Sequence, residues 1–406
     1  MIAVSLLIIA VTVFLVVRRY QTHATLFLSG FALLTTAHVS GLLSGEDALR
    51  ESITGLFAFD LFAWTSEAFS SRVARIGMII MAAGGFAKYM SAIGASGALV
   101  SVSTGPLSRI ENPYMLLAIT YVTGQFLNVF IPSAAGLAML LLVAMFPTLV
   151  RLGIRPAAAA AVIGTTACLD LGPASAASNV AAETAGITPI EYFVVHQLKV
   201  SLVVIPVVAV LHFFWQRWCD KRADAVGSIE LEPAEQAGEV EPAPAWYALL
   251  PLLPLVLLFV FSPLVVKTIQ IDVVTAMLIS LAAGMVCEGV RKRRLREALD
   301  GIKAFFRGMG DIFSTVVTLI VAAEIFAQGV KATGLIDSLI AAVEGAGFGG
   351  GVMTLVLVLL LGMAALLTGS GNAALFSFAG MIPGIAGRMN LGLVSLILPA
   401  QLAGGL

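Results

Sequence analysis

The chain has 406 residues, of which 59% are hydrophobic and only 12% are charged, and its mean hydropathy is +1.00. These values exclude an ordinary soluble domain and indicate a polytopic membrane protein, for which we predict an all-α fold. The formal net charge of −1 says nothing about partners, because in such chains the placement of Lys and Arg carries the information. For a membrane protein of this kind, nucleic acid is set aside as a partner. The cysteines Cys168, Cys219 and Cys287 are widely spaced, which predicts neither a disulfide framework nor a metal site, and no cofactor is expected.

The first half of the chain contains several runs long enough to cross a bilayer, at about 20 apolar residues per span. They cover residues 2–17, 24–43, 76–100, a double-length run at 114–146, then 157–182 and 192–215. Residues 57–69 are too densely polar for a span and predict an amphipathic helix at the outer interface. We therefore predict an N-terminal scaffold at 1–72 and a first repeat at 73–215.

A polar segment at 216–245, basic at first and then acidic and proline-bearing, predicts a mobile cytoplasmic linker between the halves. Scaffold spans are predicted within 246–290, at 246–266 and 273–290. The second repeat, 291–406, begins with an amphipathic basic piece and contains a second double-length run at 352–385. By analogy with the first half it lacks a further interrupted helix and span, so a C-terminally incomplete repeat is expected.

Polar, glycine-marked breaks interrupt both double-length runs, at residues 126–136 and 367–374. Irregular backbone at membrane depth survives only where protein or a wet cavity covers it. Such breaks in matching places of two halves are typical of a transporter's binding site. Internal similarity supports two repeats, because residues 86–94 align with 326–334 at an offset of 240, and Ser133 aligns with Asn372 at an offset of 239.

The basic residues predict the orientation of these runs, since cytoplasmic loops are enriched in Lys and Arg. Only one threading places all of the following on the cytoplasmic side: Arg18, Arg19, Arg109, Arg151, Arg155, Arg217, Lys221, Arg222 and the cluster from Arg291 to Arg296. In that threading the N-terminus is outside, and 114–146 and 352–385 are re-entrant hairpins that enter from opposite sides. The alternative is two ordinary pairs of spans; an inverted repeat is the better account.

Opposed hairpin tips would present helix N-termini and unpaired N–H groups to the middle of the membrane, where they favour an anionic group. A substrate with two carboxylates suits two such tips. The predicted donors are Asn128, Ser133, Thr368, Ser370 and Asn372, with Gly136, Gly369 and Gly371 allowing close backbone approach. The simpler alternative for each is a bond to the local backbone, or helix packing for the glycines.

The segment after the first hairpin predicts a helix broken at Gly172-Pro173, within 157–182. Carbonyl groups exposed by a broken helix can hold a cation. Asp170, Thr165 and Thr166 are therefore candidates for coupling to H+ or Na+. A carboxylate near the middle of a span is costly unless it has a partner, a cavity or a proton. The alternative for Asp170 is a structural pair with Lys88 or Lys199, or a neutral buried acid.

Four motifs together resemble the DcuC family of anaerobic C4-dicarboxylate carriers, and the match extends over nearly the whole chain. They are Gly84-Gly-Phe-Ala-Lys-Tyr-Met90, Gly124-Gln-Phe-Leu-Asn-Val-Phe-Ile-Pro-Ser-Ala-Ala-Gly-Leu-Ala-Met139, Ile163-Gly-Thr-Thr to Leu171-Gly-Pro with Ser178-Asn179, and Thr368-Gly-Ser-Gly-Asn-Ala373. More distantly the chain resembles the ion transporter superfamily. Compared with that superfamily's tip motif, only Ser133 and Asn372 keep a polar side chain at the aligned tips.

The resemblance implies a homodimeric elevator carrier in the bacterial inner membrane, in contact with the lipid bilayer. A transport domain with both hairpins would slide against a scaffold and move succinate, fumarate or a similar dicarboxylate by antiport or symport. Ser178 and Asn179 are implied ligands of substrate or ion, and Gln401 lies in the corresponding helix of the second half.

Three alternatives are kept. One is a carrier of another carboxylate or of an amino-acid-like anion from the same superfamily, and a second is a channel with the same two hairpins. The third is an intramembrane serine hydrolase, because Ser370 lies between two glycines as a buried nucleophile would. A serine nucleophile needs a base within hydrogen-bonding reach. The last histidine is His212, so we expect that the protein is not an enzyme.

Overall fold

A computed structural model describes residues 2–41, 54–223, 243–262, 265–266, 268–293, 295–335, 338, 341, 350–368 and 370–405. Within these residues the regular structure is entirely helical and contains no β-strand. The predicted all-α fold class is therefore confirmed. The predicted linker falls largely on residues 224–242, which lie outside the described residues.

The first half of the chain forms eleven of the α-helices in the described part. They are α1 (Ile2–Val17), α2 (Thr22–Val39), α3 (Phe57–Arg72), α4 (Met78–Ala92), α5 (Ala95–Thr104), α6 (Pro113–Asn128), α7 (Ala134–Ala144), α8 (Phe146–Arg151), α9 (Pro156–Thr165), α10 (Ala176–Ala185) and α11 (Leu198–Ala223).

Nine further α-helices are described in the second half. They are α12 (Leu253–Val260), α13 (Val273–Lys292), α14 (Leu295–Asp300), α15 (Ile302–Ile312), α16 (Thr318–Ala332), α17 (Gly350–Thr368), α18 (Gly371–Ala379), α19 (Ile382–Arg388) and α20 (Leu393–Gly404).

Long apolar helices support the membrane assignment. Among the described residues, 4 helical stretches are long and apolar enough to cross a membrane: Phe57–Ala92, Pro189–Cys219, Val273–Lys292 and Arg296–Ala332. Shorter apolar helices include Ala134–Ala144, Pro156–Thr165 and Leu393–Gly404. The chain is thus a helical membrane protein with several apolar helices.

Three of the long helices contain a π-helical turn, at Val73–Gly77, Tyr192–Gln197 and Phe313–Val317, and the first and last of these occupy matching positions. Val73–Gly77 joins α3 to α4, and Phe313–Val317 joins α15 to α16. These two turns lie 240 residues apart, as do the starts of α4 and α16, which is the offset that the sequence similarity predicts. Such turns usually occur singly within α-helices and often at functional sites.

The repeat of elements continues beyond the long helices. Gly94 and Gly334, which follow α4 and α16 at the same offset, both have positive φ, at 78° and 69°. After the hairpins the offset is 237, where Gly153 and Asn390 have positive φ and precede α9 and α20. The order of elements therefore recurs along the chain. Whether the two halves are inverted in the membrane stays a prediction.

The chain divides into two compact units. Unit 1 comprises Met1–Ile80, Asn179–Thr188 and Ile312–Leu406, and unit 2 comprises Met81–Ser178 and Pro189–Asp311. Each unit contains parts of both predicted repeats, because the long helices Phe57–Ala92 and Arg296–Ala332 are both divided near their π-turns. The predicted boundary between scaffold and transport domain stays a prediction.

The core of unit 1 is a close crossing of α2 and α16. Gly30 makes it close, because a Cβ at this position would lie 2.7 Å from the backbone carbonyl carbon of Ile325. The helix α3 packs on the same core through the buried side chains of Leu61 and Trp64. Small residues at a crossing allow two membrane helices to approach closely.

Unit 2 contains a similar crossing between α4 and α15. A Cβ on Gly308 would lie 2.6 Å from the Cβ of Lys88 and 2.8 Å from the Gly84 carbonyl oxygen. In each unit the leading part of one long helix thus packs on the trailing part of the other: α3 on α16 in unit 1, and α15 on α4 in unit 2.

Three predicted segments differ from the structure. Residues 57–69 do not form a separate helix, because α3 continues through its π-turn into α4. The predicted span 246–266 is a 3-10 turn, Ala245–Leu249, followed by the eight-residue α12, since Pro251 and Pro254 disrupt a continuous helix. The span predicted to end at 215 continues as α11 to Ala223, beyond the predicted start of the linker.

Candidate functional site

The tip of the first predicted hairpin lies in unit 2, between α6 and α7. Its connecting residues, 129–133, are not helical, and Ser133 caps α7 by accepting a hydrogen bond from the Gly136 N–H at 3.2 Å. Serine is a favoured N-cap because its oxygen satisfies an N–H that has no partner within the helix. The Ser133 side chain is exposed, whereas Asn128, at the end of α6, is buried.

The tip of the second predicted hairpin lies in unit 1, between α17 and α18, and it starts its helix in the same way. Ser370 caps α18 by accepting from the Ala373 N–H at 3.2 Å. Its φ and ψ of −144° and 103° match the −137° and 103° of Ser133. The structural counterpart of Ser133 is therefore Ser370, and the predicted alignment with Asn372 is wrong by two residues, because short Ala matches set its register.

The break in the helix after the first hairpin covers residues 166–175, between α9 and α10. Asp170 and Gly172 have positive φ, at 47° and 101°. Two backbone N–H groups of the break are bound by buried amide side chains. The Leu171 N–H donates to Asn128 Oδ1 at 3.2 Å, and the Gly172 N–H donates to Gln197 Oε1 at 3.4 Å. The hairpin tip and the π-turn at Tyr192–Gln197 thus hold the break together.

Ser178 continues this network into α10. Gln197 Nε2 donates to Ser178 Oγ at 2.9 Å, and Ser178 Oγ donates to the carbonyl oxygen of Asp170 at 3.0 Å. The Asp170 carboxylate receives hydrogen bonds from the Ser175 hydroxyl and the Ala177 N–H. Lys88, considered as its partner, instead pairs with Asp311 at 3.0 Å.

The other predicted coupling residues lie at the start of the break. Thr165 Oγ1 donates to the Val162 carbonyl at 2.9 Å and lies 3.0 Å from His212 Nε2. Thr166 Oγ1 donates to the Ile163 carbonyl at 2.7 Å. Both hydroxyls therefore bond the preceding helical turn, as Thr in apolar helices usually does.

Gln125 is a further buried amide beside the break. Its Nε2 donates to the Thr165 carbonyl at 3.0 Å and to Cys168 Sγ at 3.3 Å. Its Oε1 is fully buried and has no hydrogen-bond partner among the described residues. Nearby, Gly124 allows the close contact of α6 with the break, because a Cβ there would overlap the Thr166 side chain.

An apolar cavity adjoins the tip and the break within unit 2. Phe130 and Pro132 of the tip line it together with Pro173 and Ala174 of the break. Its remaining lining residues are also apolar. The side chains that line this cavity therefore offer no donors to a dianion.

Unit 1 contains the remaining predicted site residues. Asn179, in α10, is buried, and Asn372, in the first turn of α18, is partly exposed. A Cβ on Gly371 would overlap the carbonyl oxygen of Gly404, so this glycine allows α18 to contact α20. Thr368 ends α17, and Gly369 lies outside the described residues. Gln401, in α20, is buried.

Comparison with known proteins decides the family. The sequence profile described as "DcuC: C4-dicarboxylate anaerobic carrier" matches residues 1–406. The chain belongs to the DcuC family. A probable anaerobic C4-dicarboxylate transporter DcuC from Vibrio cholerae is 34% identical over 97% of this chain and 84% of the relative. The anaerobic C4-dicarboxylate transporter DcuC from Escherichia coli K12 is 33% identical over 96% of the chain and 83% of the relative.

Membership in the DcuC family confirms the predicted resemblance and the prediction that the chain is not an enzyme, because the family consists of carriers. Family membership therefore decides against the serine hydrolase alternative. The Ser370 oxygen acts as an N-cap. Membership also identifies a multi-pass bacterial membrane protein.

Two residues of the site were missed in the sequence. Gln125 and Gln197 lie in apolar runs, where an amide side chain is costly without a partner. Gln125 precedes Asn128 by three residues, so both lie on one face of α6. This spacing was the available signal for Gln125. Gln197 gave no such signal, because its partners lie 19 and 25 residues away in the sequence.

Proposed function

We propose that this protein is a secondary active transporter of C4-dicarboxylates such as succinate or fumarate in the bacterial inner membrane. The observation that carries the proposal is the family match over residues 1–406. Relatives named as C4-dicarboxylate transporters align with at least 96% of the chain and support the same substrate class.

The two serine-capped tips are the proposed contacts for the two carboxylates. The N-termini of α7 and α18 carry N–H groups and the positive end of a helix dipole, which favour an anion. Ser133 and Ser370 fix these starts in the same backbone conformation. Asn372 and Asn179 add neutral donors in unit 1. Thr368 and Gly369 belong to the proposed second tip by their position in the sequence.

Asn128 and Ser178 have a different role in this proposal. Their oxygens bind the backbone of the break, as do the amides of Gln125 and Gln197. Residues of the break would then contact substrate or ion through backbone groups that these side chains keep in place. Gly136 and Gly371 serve helix packing and capping at the tips.

Alternating access by an elevator motion is the proposed mechanism, with hairpins that enter the membrane from opposite sides. The second arms support re-entrant hairpins, because α7 has 11 residues and α18 has 9. Each helix is shorter than the roughly 20 residues that a span requires, and each is interrupted before the next short helix, α8 or α19, begins. A homodimer, an outside N-terminus and a cytoplasmic linker at 216–245 belong to the same proposal.

Coupling to H+ or Na+ is proposed at the break, without a cofactor. Asp170 presents a carboxylate beside the exposed carbonyls of an interrupted helix, an arrangement that suits a cation. Thr165 and Thr166 use their hydroxyls within α9, and the Thr165 carbonyl accepts from Gln125 Nε2 and from the Cys168 N–H. The Thr166 carbonyl is therefore the atom of this pair that would face an ion.

The proposed function is tested by counterflow in proteoliposomes loaded with unlabelled succinate. We expect saturable uptake of labelled succinate, competition by fumarate and other C4-dicarboxylates, and much weaker competition by mono- and tricarboxylates. Preferential competition by another anion would favour the second carrier alternative. Conductive, non-saturable flux would contradict a carrier and favour the channel.

A further inference from the structure

Charged side chains from three separate parts of the chain meet inside unit 1. Arg72 Nη1 lies 3.1 Å from Glu183 Oε1, and Arg72 Nη2 lies 2.9 Å from Glu324 Oε2. Arg75 lies 3.8 Å from the same oxygen of Glu183, so two cations face two carboxylates. We call Arg72, Glu183 and Glu324 the Arg72 triad. Neither the tips nor the break uses any of these side chains.

Glu324 is the most deeply placed member of the triad. It lies in α16, whose neighbouring side chains are almost all buried and apolar, and its own side chain is 15% exposed. A carboxylate in such a helix is costly unless it has a partner. Arg72 binds one oxygen and Gln328 Nε2 donates to the other at 3.1 Å. The planar guanidinium of Arg72 can serve two carboxylates at once, which a lysine cannot reproduce.

The triad connects the two elements of unit 1 that bear predicted ligands. Glu183 lies in α10, one helical turn after Asn179 and therefore on the same face. Glu324 lies beside the end of α18, because a Cβ on Gly380 would be 3.4 Å from Glu324 Oε2. The helix α18 begins at the Ser370 tip. A single arginine thus joins α10 to the point of α16 against which the end of α18 packs.

The corresponding place in unit 2 lacks such a connection. Lys88 occupies the position that Gln328 occupies 240 residues later. Lys88 pairs with Asp311, and the two side chains are 54% and 64% exposed. An exposed single pair contributes little to a fold. The Lys88 pair therefore provides a matched control for the triad.

We propose that Arg72 is a positioning residue for substrate binding, which acts through Glu183 and Glu324 and does not touch the substrate. It keeps Asn179 and the Ser370 tip at a fixed separation within unit 1. The proposal rests on the proposed function, because it assumes that α10 and α18 carry substrate ligands.

The test compares Arg72→Gln, Arg72→Lys and Lys88→Gln in proteoliposomes, with uptake of labelled succinate normalised to inserted carrier. Misplaced binding groups weaken substrate binding, so Arg72→Gln should raise KM by about tenfold while the maximal rate changes by less than about threefold. Arg72→Lys should restore part of this loss, and Lys88→Gln should leave KM within about twofold of wild type. An unchanged KM in Arg72→Gln, or an equal rise in Lys88→Gln, would overturn the proposal.

Glu183→Gln keeps the test decisive if Arg72→Gln does not insert into the membrane. It leaves Arg72 paired with Glu324 and removes only the connection to α10. We expect KM to rise by about fivefold, in the manner of a lost ground-state contact. A KM equal to that of wild type would refute the role of the triad.

A second measurement separates this inference from the proposed function. A single cysteine at position 372, in a background without Cys168, Cys219 and Cys287, is labelled by a membrane-permeant maleimide. Arg72→Gln should change the labelling rate by at least about threefold, because Glu324, beside which α18 ends, loses its cationic partner, and Lys88→Gln should not. Equal rates would overturn the positioning role even if no dicarboxylate were transported. Absence of transport by the wild type would instead refute only the proposed function.

Discussion

Buried amide side chains explain how ten residues of irregular backbone persist inside an apolar segment. Asn128 accepts a hydrogen bond from the Leu171 N–H, and Gln197 accepts one from the Gly172 N–H. Gln125 donates to the carbonyl of Thr165. Without water, an unpaired backbone group inside a membrane costs several kcal/mol. Side chains from two neighbouring helical elements therefore replace the hydrogen bonds that the interrupted helix lacks.

Removing one of these amides should destabilise the break. Gln197→Leu keeps the approximate size of the side chain but leaves the Gly172 N–H without its acceptor. We expect a loss of about 1–3 kcal/mol of stability, seen as a lower midpoint of thermal unfolding of the detergent-purified protein. Leu202→Ala, at an exposed position of α11, serves as the control and should change the midpoint far less. Equal midpoints in both variants would contradict the role of Gln197.

The sequence identified some residues of the break and not others for a clear physical reason. Asp170 and Asn128 are conspicuous because charged and amide side chains are rare in apolar runs. Their partners could not be read from the sequence, since the acceptor for Gly172 comes from a helix 25 residues away. The coupling role of Thr165 and Thr166 stays a prediction, and the structure shows their hydroxyls bonded within α9.

Among the helices, α2 and α16 can cross closely because Gly30 has no side chain at the crossing point. Gly30 faces the backbone of Ile325 and Phe326, and a backbone cannot move aside as a flexible side chain can. Gly30→Ala should therefore separate the two helices. Overpacking of this kind costs about 1–3 kcal/mol, so the thermal unfolding midpoint should fall.

The control for this variant is Gly351→Ala in the same unit. A Cβ on Gly351 meets no atom within 4 Å. Because alanine also has the higher helix propensity, this variant should be neutral or slightly stabilising. Similar midpoints for both alanine variants would mean that α2 and α16 can adjust without loss.

The elements were predicted well where glycine and proline interrupt an apolar run. The predicted breaks at 126–136 and 367–374 each include the end of one helix and the start of the next. The predicted break at Gly172-Pro173 also lies between two helices, α9 and α10. The π-turns were not predicted, because an extra residue in a helical turn leaves no compositional mark. The helix predicted at 246–266 is too long, because a hydropathy scale takes no account of the two prolines that interrupt it.

For the whole molecule, the main question is how the two hairpins enter the membrane. The recurrence of elements at offsets of 240 and 237 supports two related halves. Orientation relative to the bilayer, however, is set by lipid and by charge on loops. Neither offset nor helix length contains that information, which is why the inverted arrangement was predicted from the Lys and Arg distribution alone.

Opposite entry can be tested with single cysteines at positions 133 and 372 in a cysteine-free background. Membrane-impermeant maleimide should reach the two positions from opposite sides, or both from one cavity that opens alternately with substrate. Cysteine at position 20, in the exposed loop after α1, controls for vesicle sidedness. Labelling of both tips from the same side under every condition would rule out inverted hairpins.

The matching π-turns of two long helices have a consequence for how such a protein can change its sequence. Because an α-helix has 3.6 residues per turn, one extra residue rotates all preceding residues of the helix by about 100° around the helix axis. Deleting any residue of Val73–Gly77 would rotate Arg72 away from Glu183 and Glu324, although every charged side chain would still be present. The number of residues in this stretch is thus constrained in its own right, and viable descendants should conserve it even where they substitute a side chain.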